Sequence, residues 1–336
     1  MYNKVQQIKN LQANDVVNDI FVVKAKRGIQ PYANDSKYRF ELRLGDSSSE
    51  IDLKFWGGED LAIVQELYDI IKVDEVIFLQ GKVNEFNNNL EISSNQGVHE
   101  LRPLQAGEYN ATAFLKKTDK DIELMFSELV TILNNVQNPE LKNLVQAFLN
   151  DQSFVQKFKT TPASHYRYHA YIGGLLQHSL AVTKICLKVA EINNSISANS
   201  VNPKHGKGLD KDLLIVGAAF HAIGKIEYHQ LSTSIKVSKS GIMQGSVVAG
   251  WKMMQDKMKA QLVSEELKLK LENIMLSHLG KKEYGATTLP KTPEALVISI
   301  AKELDSKVNG MLNVKTEADQ NEDFAYSKDF GAVFLK

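Results

Sequence analysis

At 336 residues the chain is too long for one ordinary hydrophobic core, so we expect two domains. Hydrophobic residues make up 43% and charged residues 24%, which excludes a disordered or fibrous protein. The net charge is zero: residues 1–103 hold 12 Lys and Arg against 16 Asp and Glu, and residues 104–336 hold 28 against 24. Neither part is a strongly basic nucleic-acid cradle, so any contact with a phosphate backbone must use a local patch.

The sequence indicates a cytoplasmic protein with no membrane partner. No apolar run approaches the roughly 18 residues that a spanning helix needs, and the first ten residues lack the apolar segment of a signal peptide. The single cysteine, Cys186, lies in an apolar helical run and has no intrachain partner, so we expect no disulfide.

Five strand-like runs, rich in β-branched and aromatic residues, occupy residues 19–93: DIFVVKAKRGIQ, KYRFELRLGD, EIDLKFW, EVIFLQGKVNEF and NLEIS. The alternation is clearest at Tyr38, Phe40, Leu42 and Leu44, which share one face. Between the third and fourth runs, EDLAIVQELYDII has the period of a helix. This order predicts a five-stranded OB-fold β-barrel.

An OB-fold commonly holds single-stranded nucleic acid by stacking and by backbone contacts. We expect Tyr38 and Phe40 to fill the barrel, because they alternate with polar residues. The nucleic-acid contacts that we predict lie near loops or on the polar face, and they are Lys24, Lys26, Arg27, Tyr32, Arg39, Lys54 and Phe86. A solvated charged surface explains the same cations, since acids outnumber bases in this region.

After the barrel the pattern changes. We predict an OB-fold domain with a short lead-in at residues 1–103, a linker at 104–118, a helical domain at 119–312 and a C-terminal tail at 313–336. Residues 193–208 are predicted to form a polar surface loop, and the apolar end of the tail, FGAVFLK, to dock on the body of the protein. The fold class is therefore α+β, with a β-barrel followed by an all-α domain.

Two predicted helices each present one histidine. His178 lies in an apolar stripe with Leu175 and Val182, and His221 ends a similar stripe with Leu214. A lone histidine on an apolar face is more often a core residue than a ligand. Two of them on neighbouring helices favour a shared pocket.

The runs GGLLQHSL, FHAIGKI, MLSHLGKKEYGATTLPKTPEA and AKELDSK follow one another in this order. They resemble the ordered motifs of HD-domain phosphohydrolases, and specifically of the YhaM-type 3′→5′ exoribonucleases, along roughly residues 15–312. Members of that family join an N-terminal OB-fold to a C-terminal HD domain. The resemblance therefore implies that the all-α domain is of the HD type.

The resemblance also implies a metal site, in which a histidine, a His-Asp pair and a later aspartate hold divalent cations that activate water against a phosphodiester. His178 matches the first histidine and His221 the histidine of the pair, but Ala222 replaces the paired aspartate and Lys302 the later one. Two further family histidines are also replaced: Ser246 stands at one position, in the run MQGSVVAG, and Leu279 stands at the other, directly after the retained His278.

These replacements predict a site without catalytic residues or cofactor, because Mg²⁺ and Mn²⁺ prefer oxygen ligands. The vestigial pocket comprises His178, His221, Ala222, Lys302 and Asp305. Lys302 either supplies a substitute charge there or pairs with Asp305 one turn away.

Our leading hypothesis is a catalytically inactive protein that binds single-stranded nucleic acid, RNA in preference to DNA. Lys225 and Lys236, expected at the mouth of the pocket, are further predicted backbone contacts.

Two alternatives remain open. In the first, the protein is an active exonuclease that uses Mn²⁺ or Mg²⁺, held by Asp305 or Glu227 together with the histidines His169, His178, His221 and His278. In the second, the helical domain is an assembly scaffold for a protein partner. The sequence leaves the oligomeric state open.

Overall fold

Strands and helices separate along the chain in the structure, a computed structural model that describes residues 1–32, 36–198, 208–319 and 321–336. Two units result: residues 1–116 with 231–234, and residues 117–230 with 235–336. Within the described ranges, every helix is too short or too polar to cross a membrane.

The first unit is a closed barrel. Its strands are β1 (Val16–Pro31), β2 (Tyr38–Gly45), β3 (Glu50–Trp56), β4 (Val76–Phe86) and β5 (Asn89–Asn95). They pair in the order β1-β2-β3-β5-β4, with β3 and β5 parallel, and β4 returns to β1. Helix α1 (Leu61–Ile70) joins β3 to β4. This strand order confirms the predicted OB-fold.

The interior of the barrel follows from the alternation in the sequence. Phe40, Leu42 and Leu44 are at most 1% exposed, and the Phe40 ring stacks on Phe55. A sixth strand, β6 (Leu101–Pro103), pairs with β4. The sequence did not predict β6, because three residues that end in a proline are too few to show a period.

The second unit is helical around one large core. Its helices are α2 (Ile122–Asn134), α3 (Pro139–Leu149), α4 (Gln152–Thr160), α5 (Gly174–Ala198), α6 (Lys211–Phe220), α7 (Lys225–Tyr228), α8 (Lys239–Ala260), α9 (Glu265–Ser277) and α10 (Pro293–Glu317). Helix α6 lies at the centre, since all residues from Leu213 to Phe220 are buried. It is therefore covered on every side by the other helices.

Helix α5 is longer than expected. The predicted loop at 193–208 is wrong for residues 193–198, which complete the helix, while residues 199–207 lie outside the described residues. The polar side chains there bond to the helix itself: Asn193 Nδ2 donates to the Val189 carbonyl at 2.9 Å, and Ser195 Oγ donates to that of Ile192 at 2.8 Å. The polar side chains thus find hydrogen-bond partners within the helix, as Ser and Asn do when they lie inside one.

Two small hairpins complete the chain. Strands β7 (His229–Leu231) and β8 (Ile235–Val237) pair between α7 and α8, and β9 (Phe324–Ser327) pairs with β10 (Gly331–Phe334) near the C-terminus. The predicted docking of the apolar end is confirmed, since Val333 and Leu335 are buried. The Phe330 ring packs on α10, where a Cβ at Gly310 would lie 3.2 Å from it.

Candidate functional site

Three buried histidines meet in the helical unit. His178 lies on α5, and His221 and His278 directly follow the last residues of α6 and α9. The ring centroids of His178 and His221 are 5.1 Å apart, and those of His221 and His278 are 5.4 Å apart. The structure thus brings together the two histidines that the sequence analysis placed in one pocket.

Each of these rings is oriented through its Nδ1 atom. His221 Nδ1 donates to the Ala218 carbonyl and His278 Nδ1 to the Met275 carbonyl, both at 2.7 Å, which satisfies a carbonyl in the last turn of each helix. His178 Nδ1 donates to the Asp305 carboxylate at 2.5 Å. The Nε2 atoms of the neutral rings are therefore left with lone pairs, and those of His178 and His221 face each other at 3.3 Å.

Asp305 connects a fourth histidine, His169, to this group through His178. His169 Nε2 donates to the same carboxylate oxygen at 2.9 Å, so potential ligand atoms of His169, His178 and Asp305 all lie within 4.8 Å of one another. Burial of the Asp305 carboxyl opposes its ionisation, but the two hydrogen bonds outweigh burial and hold its pKa below the usual range. Asp305 is therefore an ionised carboxylate already satisfied by two imidazoles.

A glycine allows His169 to reach this position. An ideal Cβ on Gly174 would lie 2.0 Å from the His169 carbonyl oxygen, so any larger residue at the start of α5 would push the loop away. His169 itself has a φ of 42°, and its backbone N–H donates to Asn309 on α10 at 2.8 Å. The second glycine of the run GGLLQHSL, Gly174, is therefore needed for the close approach of the His169 loop.

Two lysines, Lys225 and Lys302, lie close enough for their charges to act on the His278 ring. Lys302 is on α10, with its Nζ atom 5.5 Å from the Tyr168 ring centroid, and Lys225 is the first residue of α7, with its Nζ atom 4.9 Å from the Tyr228 ring centroid. Neither ammonium group forms an ion pair with any residue that the structure describes, so the predicted pairing of Lys302 with Asp305 is absent there.

Burial controls the charges in the pocket. It lowers the pKa of His178 to about 4 and that of His278 to about 3, and it places the pKa of His221 well below its ordinary value. Burial also lowers the pKa of Lys225 to about 8, with a further contribution from the charge of Lys302. At neutral pH the pocket therefore combines neutral imidazoles with two ammonium groups and the paired Asp305 carboxylate.

A cavity of about 490 Å³ opens beside Lys302. Tyr168 and Leu279 line it together with Lys302, so the cavity reaches two of the positions at which the sequence departs from the family pattern. Residues from the C-terminal hairpin, Asp329 and Phe330, form part of its wall. The sequence analysis did not predict this contribution, because nothing in a short β-hairpin specifies where it docks.

Other predicted site residues lie in different places. Glu227 pairs with Lys157 at 3.4 Å and does not join the histidines, so it does not complete the altered ligand set. Lys236 is an exposed residue of β8. Ala222 is buried beside His221, and its methyl group offers no ligand atom.

In the barrel, some of the predicted contacts form two small groups of cations and rings. Tyr32 meets Trp56 edge to face at 5.0 Å, and the Arg39 guanidinium lies 5.5 Å from the same indole ring centroid. Lys54 Nζ lies 4.9 Å from the Phe86 ring centroid, and Phe86 is 59% exposed. Trp56 was not among the predicted contacts, although the buried Phe55 before it places Trp56 on the outer face by alternation.

The remaining predicted cations of the barrel are engaged by the protein itself. Lys26 Nζ donates to the Ile71 carbonyl at 2.6 Å, just past the end of α1. Arg27 pairs with Glu41 at 2.9 Å. The aliphatic part of Lys24 covers Gly45, where a Cβ would lie 2.6 Å from Lys24 Cε. These contacts give the three cations structural roles.

Comparisons with known proteins find a family model in the helical part of the chain and relatives along most of its length. The family model of the HD domain matches residues 175–307. The chain is 24% identical over 310 residues to the 3′-5′ exoribonuclease YhaM of Shouchella clausii, covering 90% of this chain and 88% of that protein. It is 25% identical over 295 residues to YhaM of Oceanobacillus iheyensis, covering 84% and 82%.

Solved structures show partial likenesses. The OB domain of Ta0387 from Thermoplasma acidophilum aligns at 15% identity with a TM-score of 0.25, over 31% of this chain and 90% of that one. A Replication Protein A heterotrimer bound to single-stranded DNA aligns at 14% identity with a TM-score of 0.20, over 29% and 63%. The assignment of the barrel rests on its own strand order.

The residues at the expected metal-ligand positions do not fit Mg²⁺ or Mn²⁺. These cations require several oxygen ligands. Of the four positions, His178 and His221 offer nitrogen, Ala222 offers nothing, and Lys302 brings an ammonium group. Asp305 is the nearby carboxylate, and its oxygen already accepts from two histidines.

Proposed function

Since the chain is similar to the YhaM 3′-5′ exoribonucleases along most of its length and contains an HD domain at residues 175–307, we propose that it binds single-stranded nucleic acid without hydrolysing it. RNA is the preferred ligand, because the named activity of both relatives is directed at RNA. The buried Cys186 thiol, whose pKa burial raises to about 12, is consistent with a reducing cytoplasm.

One observation carries the proposal of an inactive site. Lys302 stands where the family has an acidic ligand, and its ammonium group lies in the pocket beside Tyr168. A cation at this position repels a divalent metal ion and replaces the ligand that the ion needs. Ala222 likewise replaces the second carboxylate. The pocket therefore lacks both of the oxygen ligands that the family chemistry uses.

The barrel supports the binding role. Its outer face offers Trp56 and the exposed ring of Phe86, with Arg39 and Lys54 beside them. Aromatic rings stack on bases of any sequence, and adjacent cations attract the backbone. This combination favours single strands over duplexes, since the bases of a duplex are not free to stack on protein.

The test is a pair of assays on the same labelled single strands of RNA and DNA. We expect the purified protein to bind them at low salt and to leave their length unchanged with or without Mn²⁺. Shortening from the 3′ end in Mn²⁺ would contradict the proposal. Absence of binding to either strand would favour the assembly scaffold instead.

A second candidate is an active metal-dependent exoribonuclease with an altered ligand set. Two observations favour it: His169, His178 and Asp305 form a cluster of potential ligands, and the Nε2 lone pairs of His178 and His221 face each other at 3.3 Å. Two such lone pairs repel unless they share a proton or a cation. Nitrogen donors suit Zn²⁺ or Fe²⁺ better than Mg²⁺.

Metal analysis of the purified protein separates the two candidates. Stoichiometric zinc, iron or manganese that is lost in a His178→Asn variant would support the second candidate. If the protein holds no metal after dialysis against these ions, the first candidate, binding without hydrolysis, is supported.

A further inference from the structure

We infer that the cavity beside Lys302 is a metal-independent site for a nucleotide, in which Lys302 receives the phosphate and aromatic side chains receive the base. The inference rests on the proposed function and deepens it, since it names a ligand for the cavity that adjoins the histidine pocket at Lys302. The ligand class is a nucleoside monophosphate, free or at the end of a strand.

The first argument is charge. Of the cations that line the cavity, Arg167 pairs with Asp329 at 3.4 Å and Lys307 pairs with Glu303 at 2.6 Å. Lys302 also lines it and has no ion pair among the residues that the structure describes. An ammonium group that is partly withdrawn from water without a partner costs free energy, and a bound anion would offset that cost.

The charge of a second lysine acts in the same direction. Lys225 likewise has no ion pair with a described residue, and the charges of Lys225 and Lys302 disfavour each other. Burial lowers the pKa of Lys302 as it does that of Lys225. Lys225 lies outside the lining of the cavity, so a phosphate dianion at Lys302 would act on Lys225 at longer range, by offsetting the charge of Lys302.

The acids near Lys302 offset its charge only in part. The charges of Glu303 and Asp305 favour its ammonium form, but Asp305 already accepts hydrogen bonds from two histidines. Glu303 and Asp329 are already neutralised by Lys307 and Arg167. Glu283, the remaining carboxylate of the lining, is exposed to solvent, where water screens its charge. Lys302 is therefore the cation that is available to an incoming anion.

The second argument is size and lining. A volume of about 490 Å³ lies within the range of small-molecule sites, roughly 300 to 1,000 Å³, and exceeds what a phosphate ion alone requires. Tyr168, Tyr284 and Phe330 contribute rings to the lining, and Leu279 adds apolar surface where the family has a histidine. Rings beside a cation match the two parts of a nucleotide, its base and its phosphate.

The test is calorimetric titration of uridine 5′-monophosphate into the full chain, with EDTA present to remove metal ions. We expect binding that uridine alone does not show, and a loss of about tenfold or more in affinity for Lys302→Met, the scale of one charge-assisted hydrogen bond. The matched control is Lys259→Met, an exposed lysine on α8 whose loss should leave the affinity unchanged. Thermal unfolding of Lys302→Met should match or exceed that of the unsubstituted protein, which shows that the variant folds.

Three results would overturn the inference: no binding in EDTA, equal affinity for uridine and its monophosphate, or full affinity in the folded Lys302→Met variant. If strands bind unshortened while the mononucleotide fails to bind, the inference fails and the proposed function stands. If Mn²⁺-dependent shortening occurs, the proposed function fails in its own assay.

Discussion

The cations of the barrel and those of the helical pocket differ in what neutralises them. On the barrel, Lys54 lies 2.6 Å from Glu91 and Arg27 lies 2.9 Å from Glu41, so these two cations each have an acidic partner. In the pocket, Lys225 and Lys302 have no ion pair within the described ranges. A paired surface cation contributes little to binding a polyanion, whereas an unpaired one in a cavity has its full charge available.

This difference assigns separate tasks to the two units. The barrel is expected to hold strands mainly by stacking, with a modest electrostatic contribution, because its acids oppose its bases. The pocket is expected to recognise one phosphate strongly. Substitutions that restore acids to the pocket, or remove rings and cations from the barrel, test this contrast.

The largest effect is expected from restoring the acidic ligands in Ala222→Asp/Lys302→Asp. The double variant removes a cation and supplies two carboxylates next to His178 and His221, so we expect it to bind more Mn²⁺ than the unsubstituted protein. Metal content after dialysis and the rise of Tm with added Mn²⁺ measure this gain, because a ligand that binds the folded state stabilises it.

The single variant Ala222→Asp serves as its control, since Lys302 remains to repel the ion. If the unsubstituted protein bound as much manganese as the double variant, Lys302 would not keep the ion out of the pocket. The contrast between pocket and barrel would then have no basis.

A smaller effect is expected from Phe86→Ala, which removes an exposed ring from the barrel. Stacking of one base contributes about 1–3 kcal/mol, so affinity for single-stranded RNA should fall by about 5- to 150-fold. Fluorescence anisotropy with a labelled strand measures the change. Ile63→Ala, which truncates an exposed residue of α1, is the matched control, and equal losses in both variants would argue against stacking.

A weaker effect is expected from Lys54→Gln. Because Glu91 already neutralises Lys54, affinity for the strand should fall only about two- to fivefold. The slope of log affinity against log salt should become shallower by at most about 0.7, the value for one phosphate contact on a single strand. Lys9→Gln, at an exposed residue of the lead-in, should change neither quantity, and a loss far above fivefold for Lys54→Gln would contradict the weak role of paired cations.

The last prediction concerns stability and pH and does not involve binding. His229 is 8% exposed, and neither ring nitrogen has a hydrogen bond of good geometry to a residue that the structure describes. Burial lowers its pKa from 6.5 to about 3, with Lys225 and His165 adding to the shift and the Ala163 backbone opposing it. Because the unfolded chain takes up this proton first, stability falls as the pH drops below 6.5. The advantage of His229→Leu over the unsubstituted protein should therefore grow by about 1.4 kcal/mol per pH unit between 6.5 and 4.5.

Calorimetric unfolding of both proteins at several pH values measures this difference. A constant difference across that interval would mean that the His229 ring takes up its proton as readily in the folded protein as in the unfolded chain. The neutral state assigned to buried His229 would then be wrong.

The barrel was predictable because its signal is local. Alternation places Phe40 and Leu42 inside, and no distant residue is needed to see it. The predicted apolar stripe of α1 was less reliable: Val64 is 1% exposed but Leu61 is 44% exposed. Periodicity gives the face of a helix that turns inward, and it does not show how much of that face is covered.

The pocket was predictable only in part. Apolar stripes indicated that His178 and His221 face one site, and the resemblance located Lys302. The bonds of Asp305 to His169 and His178 could not be predicted, because His169 is 136 residues away in a loop with an unusual backbone angle. Contacts of this kind depend on how α5 and α10 pack, which no local pattern records.

The position of Lys302 has a consequence for the cell. A hydrolase with metal ligands loses its charge and its activity when divalent cations become scarce, and it recovers when they return. Here the positive charge is covalently part of α10, so its presence does not depend on metal supply. Occupancy of the pocket should therefore follow the concentration of nucleotides and strand ends alone, through metal starvation and metal excess alike.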